Sequence, residues 1–402
     1  MSGPVREVVI VGAGPAGSAT ACFLARRGHD VLLVDAARFP RDKVCGESVS
    51  PGAWPLLDAM GAAERVLALH PHPVRGMRLV APDGTPFRGE YRGKARPGFA
   101  LRRLRLDAAL LDAARGAGAE VREGVRVTGL LREGGAVAGV LADEGGEPRA
   151  IRSRVTVGAD GRGSVVARGL GLLRENPRMR RFAVRGHWEG MEALSEFGEM
   201  HGGGRGYCGV APLSPTLANV TFVVDRAALA PAGGDLERFY RESLRRSWPR
   251  LAERLQRARL LAPPRAIGPL ALDCDAAAVP GAVLVGDAAG FYDPFTGEGI
   301  TLALRTADLA AREIDRALAR PGASPVPRLL AYEGARAAAT REKFRFNRLV
   351  QVAVRSPAAA NAIAHRLARR PDLADQVVGV AGDFVPARTV VGPRFLLRLL
   401  TA

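Results

Sequence analysis

The segment Gly12-Ala13-Gly14-Pro15-Ala16-Gly17 sets three glycines at G-x-G-x-x-G spacing between a β-branched run, Val5 to Val11, and an apolar stretch, Pro15 to Arg27. Glycines so placed allow a tight turn, a close approach of backbone to a pyrophosphate, and close packing of helix on strand. The N-terminus of the following helix adds unpaired N–H groups and a positive dipole end, which suit an anion. Asp35 stands 18 residues beyond Gly17, at the end of a second buried run, Val31 to Val34. A carboxylate there can accept a bond from a ribose hydroxyl. Strand, turn, helix, strand and acid together predict dinucleotide binding, without saying which dinucleotide.

Two later acids have the same setting. Val155 to Arg168 reads VTVGADGRGSVVAR, a buried strand ending at Asp160-Gly161, with Ser164 placed to cap the next helix. Val283 to Pro294 reads VLVGDAAGFYDP, again a strand ending in an acid, at Gly286-Asp287, before a glycine-rich turn and a helix from about Gly299. Carboxylates at the carboxyl ends of strands lie where ligands bind in open α/β sheets. The six histidines show no metal-ligand spacing on one element, and no nucleophile elbow is present.

The elements that must position these residues alternate in character. The βαβ unit at the N-terminus is followed by short strands around Asp83-Gly84 within Val74 to Tyr91. A helix is expected over Leu106 to Gly116, then strands near Glu120 to Val127, Ala136 to Leu141 and Arg154 to Val157. Turns at Gly134-Gly135 and Gly145-Gly146 make these a meander. Arg181 to Trp188 and Asn219 to Val224 read as strands, Leu236 to Leu260 as one helix, Ala282 to Val285 as a buried strand, and Gly299 to Leu318 as an amphipathic helix. The fold class is therefore α/β plus β: a Rossmann-type domain interrupted by an antiparallel sheet, with a helical C-terminal region. The expected division assigns 1–73, 95–176 and 266–320 to the dinucleotide domain, 74–94 and 177–265 to the sheet domain, and 321–402 to the tail.

The three glycine–acid segments, in this order, resemble the flavoprotein monooxygenase superfamily, which contains aromatic hydroxylases, geranylgeranyl-type reductases and flavin-dependent halogenases. The resemblance covers roughly residues 5–320 and implies FAD. By that similarity Gly12, Gly14, Gly17, Asp35, Arg41, Gly286, Asp287, Gly297 and Gly299 would contact the cofactor, and Asp160 and Gly161 would serve FAD and NAD(P)H. Arg103 matches the arginine of an R-x-x-[FL]-D pattern, here Arg103 to Asp107, and would face the pyrophosphate; Arg102 and Arg105 are alternatives. The loop Phe39 to Pro51 lies where the family places a segment beside the flavin ring. Its Cys45-Gly46 resembles the reductases and its Gly46-Glu47-Ser48-x-x-Pro51 the halogenases, so Cys45 and Glu47 are candidate catalytic residues, and Cys45 would also contact the flavin ring of the cofactor. The halogenase W-x-W-x-I-P signature is missing, and Lys94 is the lysine where a halogen-activating amine would be sought. Gly206 to Pro212 resembles a reductase substrate strand with most aromatics replaced, which makes Tyr207 a pocket candidate, with Pro294.

Composition narrows the partners. The formal charge of +17 is carried almost wholly by arginine, Lys43, Lys94 and Lys343 being the only lysines. The arginines are scattered and not interleaved with aromatics, which argues against a nucleic-acid platform. No stretch reaches the roughly 18 apolar residues of a membrane span, and the four cysteines form no C-x-x-C pair, so a cytoplasmic protein without structural disulfides or a metal centre is expected. The leucine-ended, Arg-rich tail suggests peripheral membrane contact. The expected activity is an NAD(P)H-driven hydroxylation of an apolar small molecule. The alternatives are a flavin ene-reductase saturating a C=C bond, a halogenase, and a non-catalytic basic flavoprotein.

Overall fold

The computed structural model describes residues 4–93, 96–176, 180–203, 206–229, 234–291, 293–319 and 329–401; Lys94 lies outside them. The buried apolar runs, with the charged edge strand Glu120–Glu123, form a parallel sheet in the order Glu120–Glu123, Val31–Asp35, Arg6–Val11, Glu147–Gly158, Ala282–Leu284. Its register decides where the site lies. Val11 pairs with both Val34 and Gly158, and Gly158 pairs with Leu284. Four strands thus end level, bringing Gly12, Asp35, Ala159 and Val285 to one edge of the sheet. The helix Pro15–Ala25 is buried from Pro15 to Leu24. It packs on the helices Arg103–Gly116 and Gly299–Leu318.

The meander is present as Val125–Glu133, Ala136–Glu144 and Glu147–Gly158, turning at the left-handed glycine pairs Gly134-Gly135 and Gly145-Gly146, but the strand expected near Glu120 to Val127 divides at Gly124 (φ +76°), and Glu120–Glu123 joins the parallel sheet instead. Its last strand continues into the parallel sheet, so a surface hairpin ends beside the glycine turn.

A second sheet runs in the order Arg259–Leu260, Arg181–Glu189, Leu217–Asp225, Gly206–Pro212, Phe197–Gly203, Gly76–Val80, Pro86–Glu90. All neighbours are antiparallel except the parallel pair between Phe197–Gly203 and Gly76–Val80. Alternation along Leu217–Asp225 separates its faces. Val220, Phe222 and Val224 pack with Tyr240, Leu244 and Trp248 on one side, while Val223 packs with Tyr207 and Met200 on the other. The covering segment is not the single helix expected over Leu236 to Leu260. It comprises helices Leu236–Ser247 and Pro249–Arg254, then a strand at Arg259–Leu260. Pro249 has no N–H to continue the first helix, and Trp248 takes φ −139° at the break. The other expected helices fall close to their expected ends, Arg103–Gly116 starting about one turn earlier.

The tail folds as helices Ala331–Arg355, Pro357–Arg369, Pro371–Ala381, Arg388–Val391 and Pro393–Leu400. They share a core of Phe346, Leu367, Leu373, Val390 and Phe395, and Phe87 of the second sheet packs against it. The last helix buries Phe395 and exposes Leu396, Leu397 and Leu400. Among the described residues no helix is long and apolar enough to cross a membrane.

Candidate active site

Each glycine of the turn has a distinct reason to lack a side chain. Gly12 has φ +99°, and a Cβ there would lie 2.6 Å from the Cα of Asp160. A Cβ on Gly17 would lie 1.8 Å from the Gly12 carbonyl oxygen, so the helix could not sit so close to the strand. Gly14 is different: its φ is −72°, and a Cβ would meet nothing nearer than Arg41 Nη2 at 3.7 Å. The protein leaves this position open, and it faces the cavity. Asp35 accepts from the N–H of Ala13 at 2.7 Å and of Ala37 at 2.8 Å, tying the turn to the end of the second strand.

The loop after Asp35 is held between the two sheets. Arg185 of the second sheet makes a forked pair with Asp42 at 3.0 and 2.6 Å and donates to the Lys43 carbonyl. This pairing holds the Asp42 carboxyl well below its ordinary pKa. Glu47 is fully buried with φ +58°. Its carboxylate accepts from Arg103 N–H at 2.9 Å and from Asn219 Nδ2 at 2.9 Å, and bonds His187 Nε2 at 2.6 Å. Arg103 in turn makes a forked pair with Asp107 at 2.6 and 2.7 Å, and Arg41 joins the same carboxylate at 2.8 Å. Cys45 lies between these groups. Its sulfur accepts from Glu47 N–H at 3.4 Å and interacts with Arg103, and its carbonyl accepts from Asn219 Nδ2 at 2.8 Å.

A cavity of about 220 Å³ runs between the sheets. It brings together Gly14, Cys45, Glu47, Arg103, Gly161, Asp287, Gly297, Gly299, Tyr207 and Pro294 from the residues singled out in the sequence. Gly12, Gly17, Asp35, Arg41, Asp160 and Gly286 are not in its wall; they shape or brace it. Asp160 turns its carboxylate to Ser164 Oγ and Val165 N–H, both at 2.6 Å, while Ser164 accepts from Ala167 N–H as its cap position requires. Burial pushes the Asp160 carboxyl up, against these bonds. Gly286, at φ +57°, would set a Cβ 2.9 Å from that of Ala16, so its absence lets the second acid turn meet the first helix.

Two cations in the wall escaped the sequence reading. A Cβ on Gly161 would lie 3.0 Å from Lys43 Nζ, which places this amine in the cavity. Burial lowers its pKa, Arg103 adds to that, and Asp287 opposes it. Arg162 also lines the cavity; burial lowers its pKa and Asp287 opposes that too. The available signal was position: one of three lysines stands two residues before Cys45, and Arg162 follows Asp160-Gly161 directly.

The other end is apolar, with Met77, Met200, Val210, Val223, Ile267, Leu270 and Phe295 in the wall. Tyr207 lies edge-on to Phe295 at 4.9 Å, and its hydroxyl donates to Asp293 at 2.6 Å. Glu199 reaches the wall held by Arg254 at 2.7 and 2.9 Å and by His201 at 2.7 Å. Among the described residues no cluster of three or more His, Cys, Asp or Glu could hold a metal.

These features fit a dinucleotide with a redox ring: an open glycine at a helix N-terminus, cations beside it, and an apolar chamber beyond a shared loop. A Rossmann-type sheet joined to an antiparallel sheet across such a cavity defines a flavin-dependent oxidoreductase. Residues 6–347 match the FAD binding domain family, and the chain belongs to it. It is similar to the menaquinone reductase of Mycolicibacterium smegmatis, with 32% identity over 319 residues, 76% of this chain and 75% of that one. It is similar also to the digeranylgeranylglycerophospholipid reductase of Methanothrix thermoacetophila, at 32% over 337 residues, 81% of this chain and 82% of that one. Among solved structures, a myxobacterial chondrochloren halogenase superposes with a TM-score of 0.79 at 26% identity, covering 86% of this chain and 82% of that one. The chain is thus an FAD-dependent oxidoreductase of a superfamily whose members include reductases and halogenases.

Proposed function

We propose that the protein is an FAD-dependent reductase that saturates a carbon–carbon double bond of an apolar, lipid-like substrate, with NAD(P)H as electron donor. The observation that carries this reading is the position of Cys45. It lies in the cavity wall on a loop fastened to Arg103 on one side and to Asn219 of the second sheet on the other. Reductases as relatives over three quarters of the chain move the weight from hydroxylation to reduction.

Bound, reduced FAD would supply a hydride to one alkene carbon. Cys45 gives its thiol proton to the other carbon as the π bond breaks, and the charge left on sulfur has the Glu47 N–H and Arg103 beside it. Glu47 holds the loop in this scheme and transfers no proton, because three groups already bond its carboxylate. The chamber walls Met77, Met200, Val223 and Leu270 take the apolar chain and exclude water. Exposed Leu396, Leu397 and Leu400, beside Arg394 and Arg398, support uptake of such a substrate at a membrane surface.

The test is an anaerobic incubation of the FAD-loaded protein, reduced with dithionite, with isoprenoid quinones and geranylgeranyl lipids. Products should gain two hydrogen atoms by mass spectrometry, and Cys45→Ala should lose turnover while still binding FAD. A product that forms only with oxygen and gains one oxygen atom overturns the reading in favour of hydroxylation.

A further inference from the structure

The loop that follows Asp287 forms one wall of the cavity through Phe291, Pro294, Phe295, Thr296, Gly297 and Gly299. Little within the loop fixes it. Between Gly290 and Gly299 the described internal bonds are Phe295 N–H to Asp293 at 2.9 Å and Gly297 N–H to the Pro294 carbonyl at 2.9 Å. From outside, Phe291 is tied to Leu272 by two backbone bonds at 2.8 Å, and the loop's approach, middle and end are fastened by one helix of the tail, Ala331–Arg355.

Tyr332 donates to the carbonyl of Leu284, at the end of the strand that leads into the loop, at 3.0 Å. Arg336 Nη2 donates to the carbonyl of Ala289 at 2.6 Å. Lys343 pairs with Glu298 at 2.5 Å, and Gln351 Nε2 donates to Asp293 Oδ1 at 2.8 Å. Helical periodicity of about 3.6 residues per turn puts positions 336, 343 and 351 on one face. Leu349 and Val352 fall on the opposite face and are 55% and 69% exposed.

The Gln351 contact reaches further than the loop. Its Oε1 accepts from Arg181 Nη1 at 2.8 Å, and Arg181 also pairs with Asp293 at 3.1 Å. Asp293 Oδ1 is the same atom that accepts from the Tyr207 hydroxyl. Gln351, Asp293, Arg181 and Tyr207 are all buried. A side chain of the tail therefore closes a network that joins the flavin-side loop to the substrate-side sheet.

We infer that the helix Ala331–Arg355 is a positioning element for the cavity, and that Gln351 and Lys343 are positioning residues that set the flavin-facing loop in its binding geometry. The inference does not depend on which reaction the flavin performs. Preorganised loops bind with less ordering cost, so loosening this one should show as weaker cofactor binding.

The experiment uses full-length Gln351→Met and Lys343→Met, with Val352→Ser as the control on the exposed face. FAD dissociation constants come from flavin fluorescence quenching, the environment of bound flavin from visible circular dichroism, and loop order from hydrogen exchange in the FAD-free protein. The expected result is FAD binding weaker by on the order of tenfold for each positioning variant, as loss of one buried bond to a charged group implies. The flavin dichroism should change, and the Phe295 amide should exchange faster while the Val8 to Val11 amides keep parental protection. The control should match the parent. Parental FAD affinity and Phe295 exchange in Gln351→Met overturn the inference. So does equal acceleration at Val8 to Val11, which would mean that the helix adds only global stability. Should Lys343→Met fail to fold, Gln351→Met decides alone.

Discussion

Replacing Gly14 by alanine should make the FAD-free protein slightly more stable and its FAD binding much weaker. Gly14 holds φ −72° and ψ −175°, a conformation alanine adopts without strain. A Cβ there has Arg41 Nη2 at 3.7 Å as its nearest neighbour, so no atom of the protein must move. Fewer conformations of the unfolded chain then favour folding by about 0.4–1 kcal/mol, a rise in Tm of about 0.5–1 °C for a chain of this length. If the pyrophosphate sits on this helix N-terminus, the same methyl enters the space through which it would approach. Displacement by a methyl radius forfeits one or two charge-assisted N–H bonds, each about 1.5–3 kcal/mol. The expected loss of FAD affinity is about 100-fold, equivalent to about 2.7 kcal/mol. Gly17→Ala is the contrast, since its Cβ would fall 1.8 Å from a backbone oxygen and must destabilise the apoprotein itself. Thermal unfolding without FAD and a fluorescence titration with it measure the two effects. Parental FAD affinity in Gly14→Ala would refute the seat assigned to the pyrophosphate. A fall in its apoprotein Tm comparable with that of Gly17→Ala would refute the claim that the space is open.

Three further outcomes follow from buried carboxylates. Burial raises the Glu199 carboxyl, but His201 and Arg254 outweigh it and hold it down at about 2. A lowered folded pKa gives stability that is present above the ordinary value of 4.5 and lost as pH falls toward 2, by about 3 kcal/mol in all. Urea unfolding between pH 7 and pH 3 should show this acid loss in the parent and a flatter profile in Glu199→Gln. Glu298 has the opposite sign: burial pushes it up to about 8 although Lys343 opposes the shift. The folded state then holds the proton more tightly, so stability should fall as pH rises from 4.5 to about 8, and Glu298→Gln should lose that slope. Glu47→Gln sets an amide nitrogen against donors that now bond a carboxylate, costing about 1–3 kcal/mol. It should weaken FAD binding at every pH in a fluorescence titration; a binding change confined to one pH limb would return Glu47 to a proton-transfer role.

The parts of the site legible in the sequence are those made within one element or one turn. The glycines of 12–17, the acids at the ends of the 155–158 and 283–285 strands and the Ser164 cap each depend on spacing along the chain, and register then carries them to one sheet edge. The break at Trp248-Pro249 is missed although Pro249 marks it, because the apolar periodicity on both sides suggests one helix; further on, Arg259–Leu260 leaves the helix to pair with Glu189 and Trp188.

What the sequence could not show is how polar and charged groups far apart along the chain pair with one another. The partners of Glu47 lie 56, 140 and 172 residues away, and Gln351 lies 170 residues from Arg181. Read singly, a glutamate beside a cysteine suggests reactivity, and scattered arginines suggest a diffuse positive field. In the fold, Arg103, Arg181 and Arg185 are buried and each holds an acid, at Asp107, Asp293 and Asp42. These arginines are therefore spent inside, on neutral pairs that fix loops around the cavity, and the net charge of +17 is carried by the remaining residues. A buried pair of this kind is weak evidence for stability and good evidence for a required arrangement, because removing one partner strands the other. The same logic assigns work to the tail. A helix that spends Arg336, Lys343 and Gln351 on the loop between Gly290 and Gly299 helps to shape the cavity, although none of its residues carries a recognisable motif.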